Sequence, residues 1–83
     1  MSNDIIDLDT RGLRCPLPVL RLEKVLRDVE GGRTIRIVAD DPIAKVDIPH
    51  FVAEAGHRCV AENTENPKEC VFQVTKCAVN PSA

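Results

Sequence analysis

Along this chain, apolar and polar residues first alternate, then recur at helical spacing, then alternate again. From Ile5 to Asp9, Ile6 and Leu8 fall on one face and Asp7 and Asp9 on the other, the period of a half-buried strand. Val19, Leu22, Val25, Leu26 and Val29 then form a stripe that predicts an amphipathic helix from Pro18 to Val29, stopped by Gly31-Gly32. Thr34 to Ala39 is rich in Ile and Val and reads as a central strand. A strand–helix–strand unit of this kind places its two strands parallel. Asp40-Asp41-Pro42 supplies an N-cap and an N1 proline for a second helical region, Ile43 to Ala55, which Gly56 ends. Its apolar stripe is Ile48, Phe51, Val52 and Ala55, and it contains Pro49. An interior proline removes a hydrogen bond and costs about 3 kcal/mol in a regular helix. The expectation there is a kink, or a turn ending near Asp47 followed by a helix from Pro49.

Two further strands, His57 to Thr64 and Glu69 to Lys76, flank the turn Glu65-Asn66-Pro67-Lys68 and read as a hairpin. Cys70, Phe72 and Val74 share one face of the second. Residues 1–4 and 80–83 are polar and read as frayed ends. The pattern is βαβαββ. It predicts an α/β (α+β) two-layer sandwich, a four-stranded mixed sheet with two helices packed on one face.

Eighty-three residues make one domain, 1–83, with an ordered core over about 5–77. Only Phe51 and Phe72 are aromatic, so the core must be aliphatic. Charged residues reach 29% with both signs mixed, which excludes a disordered acidic or basic tail. No stretch approaches a membrane span, and the start of the chain lacks an apolar signal segment. A cytoplasmic monomer is the expectation. In that reducing compartment the four cysteines are not a disulfide framework. Cys15, Cys59, Cys70 and Cys77 match no common zinc spacing, so no metal is expected. His50 and His57 read as a surface helix residue and a post-helix residue.

Charge is uneven. Residues 11–36 hold seven basic groups against three acidic ones, whereas the whole chain is −2. The basic region contains Arg11-Gly12-Leu13-Arg14-Cys15-Pro16-Leu17-Pro18, where a cysteine stands at a strand-to-helix turn. Pro16 pushes Cys15 towards the extended conformation of an N-cap, and Pro18 has no N–H to lose in a first helical turn. Leu17, ahead of Pro18, predicts an irregular helix start and an exposed Cys15. A helix N-terminus and two nearby arginines favour thiolate, the form that attacks or passes sulfur, and predict a moderately lowered thiol pKa. The competing reading of a free cysteine is a small buried apolar residue.

The run from Leu8 to Pro18, with Cys-Pro-x-Pro met by Cys15 to Pro18, resembles the signature of the TusA/SirA family of small sulfur-carrier proteins. A second block, Ala39-Asp40-Asp41-Pro42 followed by Asp47-Ile48-Pro49-His50-Phe51, stands at the family's spacing. The resemblance covers nearly the whole chain and implies the same βαβαββ sandwich. It also implies that Cys15 carries a persulfide between a sulfur donor, such as a cysteine desulfurase or a rhodanese, and an acceptor protein. Arg11, Gly12, Arg14, Pro16 and Pro18 are then motif support. The pathways implied are tRNA thiolation and sulfur metabolism.

The residues themselves supply no phosphate loop, no cofactor fingerprint and no histidine near Cys15 in sequence. An autonomous hydrolase is excluded, no cofactor is expected, and a carrier would borrow its partners' active sites. The positive end, with Arg21 and Lys24, suits an acidic partner protein docking at the sulfur. Two other readings stand beside the carrier: a non-catalytic regulatory or interaction module, and a thiol redox sensor. The acidic balance and the scarcity of aromatics argue against direct nucleic-acid binding.

Overall fold

The computed structural model describes residues 5–77. The frayed ends expected at 1–4 and 80–83 lie outside them. The elements follow in the order β1 (Ile6–Asp9), α1 (Leu17–Asp28), β2 (Thr34–Ala39), α2 (Ala44–Glu54), β3 (Arg58–Glu62) and β4 (Cys70–Thr75). The sheet order is β1-β2-β4-β3. β1 runs parallel to β2, with Ile6 opposite Ile35 and Leu8 opposite Ile37. β4 is antiparallel to both β2 and β3. This is the expected βαβαββ mixed sheet, and β2 is an interior strand.

The period of two along each strand decides where the core sits. Ile35, Ile37 and Ala39 of β2 and Cys70, Phe72 and Val74 of β4 all turn to one face. Leu22 and Leu26 of α1 and Ala44, Ile48 and Val52 of α2 complete that core, so both helices cover the same side. Leu22, Ile35, Ile37, Ile48, Val52 and Val74 are fully buried. Each such side chain contributes about 1.5–3 kcal/mol, and an aliphatic core of this kind needs no aromatic cluster.

The helices depart from the sequence expectation at their ends. α1 begins at Leu17, with Pro16 as N-cap and Val29 as an extended C-cap. Cys15 therefore lies one residue outside the cap position expected for it. Pro18 is buried in the first turn, where its missing N–H has no intrahelical partner to lose. α2 has Ile43 as its N-cap residue, whose own side chain makes no cap bond, while Asp41, two residues earlier, accepts the Ile43 N–H and so keeps part of the capping role expected of it. Pro42 lies outside the helix. α2 continues through Pro49 rather than restarting there. Pro49 deprives the Lys45 carbonyl of its helical partner, while the burial of Ala44, Ile48 and Val52 on one row holds the helix to the sheet. Phe51 is half-buried and Ala55, just past the helix, is exposed.

The uncovered face of the sheet mixes polar residues with three valines, buried Val71 beside Val38 and exposed Val60 on β3. Arg36 joins three strands there, its Nε 3.1 Å from Glu62 Oε2 and its Nη1 4.0 Å from Asp7 Oδ1. Gln73 donates to the same Glu62 at 2.6 Å. Among the described residues no helix is long and apolar enough to cross a membrane.

Candidate functional site

Because β1 and β2 are parallel, the chain leaves both at one end of the sheet. The two strand-to-helix turns, 10–16 and 40–43, are therefore neighbours. Thr10 begins the first turn fully buried, and its N–H and hydroxyl both donate to the Val38 carbonyl, at 2.8 and 2.7 Å. Gly12 has φ +86°, a left-handed conformation that costs glycine little. Its N–H donates to Asp40 Oδ1 at 2.9 Å. The Cys15 N–H donates to Asp41 Oδ2 at 2.6 Å, and the Ile43 N–H donates to Asp41 Oδ1 at 3.1 Å. Asp41 is only 5% exposed. Its carboxylate is the rivet between the two turns.

The Cys15 side chain is exposed, as the two prolines predict, and the Cys15–Pro16 bond is cis. Its thiol donates to Asp47 Oδ2, with the sulfur 2.9 Å from the oxygen. Asp47 stands in the first turn of α2. Cys15, Pro16, Pro18, Val19, Ala44 and Asp47 line a narrow cleft between the starts of the two helices.

Electrostatics correct the expected thiol acidity. The Cys15 pKa is raised, first by the hydrogen bond to Asp47, then by desolvation and by the negative charges of Asp47 and Asp41. The helix start offers little to oppose this. Pro16 and Pro18 carry no N–H, and the Leu17 N–H is given to the Arg14 carbonyl at 2.8 Å. Asp41 moves the other way: the N–H groups of Cys15 and Ile43 lower its pKa against the effect of burial, and the charge of Arg14 helps.

Arg11 is not beside the sulfur in an electrostatic sense. It pairs bidentately with Asp9, at 2.9 and 2.8 Å, and reaches Glu69 at 3.5 Å. That pairing holds the Asp9 carboxyl at about 2. Arg11 and Arg36 instead line a hollow of about 440 Å³ that also borders Val38 and Val71 of the open sheet face, and Cys15 does not line it. Arg21 and Lys24 are exposed on α1. Cys59 is half-buried and Cys70 buried, and burial pushes both thiols up. Cys77 is exposed, and its backbone N–H donates to His57 Nδ1 at 3.1 Å.

Sequence reasoning missed Asp40, Asp41 and Asp47 as parts of the site. It placed all three in the family's second block, read Asp40-Asp41 as supplying an N-cap, and gave Asp47 no part in the chemistry. The available signal was the parallel pairing of β1 and β2. It sets acidic side chains that follow β2 against unpaired amides that follow β1.

The family model described as Sulfurtransferase TusA matches residues 6–76. The chain belongs to the TusA family. The match spans both turns and every element of the sheet. The fold is also similar to the crystal structure of a SirA-like protein from Desulfitobacterium hafniense. That structure is 26% identical in sequence and has a TM-score of 0.71, with the alignment covering 90% of this chain and 99% of that one. Membership of the TusA family assigns the chain, at a coarse level, to sulfur transfer and to dealings with sulfur-relay partner proteins.

Proposed function

We propose that this protein is a cytoplasmic sulfur carrier that accepts sulfane sulfur as a persulfide on Cys15 and passes it to an acceptor protein. The observation that carries this reading is the exposed Cys15 thiol, fixed through its own backbone N–H to buried Asp41, inside a chain that matches the TusA family. A carrier needs a reactive atom that two different proteins can reach, and a backbone that holds it still while they do. Gly12, Arg14, Pro16 and Pro18 serve that second need through the turn. Arg11 serves it from farther away, through Asp9 and Glu69.

The chain acts as one domain and, in this reading, as a monomer. Its donor is a cysteine desulfurase or a rhodanese, and its acceptor belongs to tRNA thiolation or another sulfur pathway. Arg21 and Lys24 of α1 receive acidic groups of these partners. Leu17 and Leu20 at the start of α1, and Ile43 and Val46 at the start of α2, are exposed apolar residues that supply contact area beside the sulfur. No cofactor enters, because the reaction exchanges one sulfur–sulfur bond for another.

The test is intact-mass analysis after incubation with a cysteine desulfurase and cysteine. The expected result is a gain of one sulfur atom, lost in Cys15→Ser and kept when Cys59, Cys70 and Cys77 are replaced together. Loading that survives Cys15→Ser would overturn the assignment. A loss of two hydrogens under mild oxidant, with no sulfur gain, would favour a redox sensor instead.

A further inference from the structure

Among the described residues, the polar group that bonds the sulfur is neither the helix start nor an arginine, but the carboxylate of Asp47. Asp47 Oδ2 lies 2.9 Å from Cys15 Sγ and accepts a hydrogen bond from the thiol. Two anions would repel at that separation. Asp47 is itself held from below, since its neighbour Ile48 is fully buried, as is Ala44 one turn earlier apart from a 2% exposure. Its own N–H donates to the Ile43 carbonyl at 2.9 Å. It is a half-buried side chain on a backbone held in place by the helix and its buried neighbours.

We propose that Asp47 discriminates between the sulfur-free and sulfur-loaded forms of Cys15 and biases the carrier towards unloading. This rests on the carrier reading above. In the unloaded protein Sγ is a thiol and donates its proton to Asp47. In loading, Sγ attacks the outer sulfur of a donor persulfide. The donor's S–S bond breaks, a new S–S bond forms at Cys15, and the thiol proton leaves by way of Asp47 Oδ2 to the departing donor sulfur. One thiol and one persulfide give one persulfide and one thiol, with no net oxidation. Afterwards Sγ is the inner sulfur of the persulfide. It carries no proton and turns only lone pairs towards the carboxylate. The hydrogen bond that stabilised the empty carrier has become a repulsion in the full one.

The other charged groups around the sulfur do not cancel this bias. Asp41, from the turn after β2, adds negative charge and is occupied by the Cys15 and Ile43 N–H groups. Asp40 is occupied by the Gly12 N–H. Arg14 acts on Asp41, and Arg11 is paired with Asp9 and Glu69. The raised pKa of the Cys15 thiol, caused first by its hydrogen bond to Asp47, agrees with this geometry. A thiolate formed from a less acidic thiol is also the stronger nucleophile, so the arrangement does not forbid loading.

The experiment compares the full chain with Asp47→Asn, both equilibrated with glutathione persulfide at several ratios to glutathione, with the loaded fraction read by intact mass. The amide can donate to sulfur and carries no charge. The expected result is a loading equilibrium roughly ten-fold more favourable in the variant, equivalent to about 1.4 kcal/mol. The alkylation midpoint of Cys15 should also fall to lower pH, which a merely structural role for Asp47 would not produce. Loading of the unsubstituted chain with an unchanged equilibrium in Asp47→Asn overturns this inference and leaves the carrier reading standing. Absence of loading in the unsubstituted chain overturns both. A second measurement needs no Asp47 variant: the Raman S–H band of Cys15, obtained as the difference from Cys15→Ser, should lie below that of exposed Cys77. Coincident bands would overturn the proposal even if Asp47→Asn does not fold.

Discussion

The two strand-to-helix turns occupy equivalent places at the ends of parallel strands, yet they do opposite things. The turn before α1 presents a thiol, removes two N–H groups with Pro16 and Pro18, and depends on its neighbour for fixation. The turn before α2 presents carboxylates, uses Asp41 and Asp40 to grip the first turn, and delivers Asp47 to the sulfur. Neither N-cap residue makes a side-chain cap bond. Asp40 is spent across the gap between the turns, and Asp41 divides its oxygens between the Cys15 N–H across that gap and the Ile43 N–H at the head of α2. The difference teaches that a cysteine at a helix start need not take its electrostatic surroundings from that helix. Here they come from Asp47 in the first turn of α2 and Asp41 in the turn before it, and their sign is negative.

The sharpest break in this comparison is Cys15→Ser, for which complete loss of sulfur loading is expected, measured by intact mass. Next is Asp41→Asn, which leaves one oxygen to serve two N–H donors. The expected drop in Tm at neutral pH is about 5–10 °C, the scale at which a small domain responds to a lost buried hydrogen bond. Loading should slow as the Cys15 backbone loosens.

The same carboxylate predicts a pH dependence. Its pKa in the folded protein is depressed, so its contribution to stability is present above the ordinary aspartate value, near 3.9. That contribution is lost as pH falls through the lower folded value. Thermal melts of the unsubstituted chain should therefore approach those of Asp41→Asn in acid. Parallel curves down to the lowest pH would show that Asp41 is not the rivet. A smaller effect is expected from reversing Arg21 and Lys24 to Glu together. Transfer from a desulfurase should slow several-fold, with Tm unchanged. Because exposed charges are screened over about 8–10 Å at ordinary ionic strength, the unsubstituted rate should fall with added salt. A rate indifferent to both salt and the double substitution would remove α1 as the docking face.

Much of the fold was legible because it rests on local periodicity. Ile6 and Leu8, Ile35 and Ile37, and Phe72 and Val74 alternate clearly, and Leu22 and Leu26 recur as a helix must. Pro49 misled because its cost is local, whereas the burial of Ile48 and Val52 that outweighs it is tertiary. The cysteine and its exposure were legible from the two prolines. Its partners were not. Gly12, Cys15 and the Cys15 sulfur meet Asp40, Asp41 and Asp47 across 28, 26 and 32 residues of chain. An aspartate after a strand looks the same whether it serves only its own helix or also grips a loop elsewhere, as Asp41 does. Only the pairing of β1 with β2 reveals the second role.

The position of Cys15 has a kinetic consequence. Its sulfur lies at one end of the sheet beside a narrow cleft lined by Cys15, Pro16, Pro18, Val19, Ala44 and Asp47. If the carrier reading proposed above holds and donor and acceptor both dock at that end, sulfur traffic is a two-stroke cycle, in which one partner must leave before the other arrives. Excess acceptor should compete with the donor and slow filling, and the steady-state rates should give the parallel double-reciprocal lines of a ping-pong scheme.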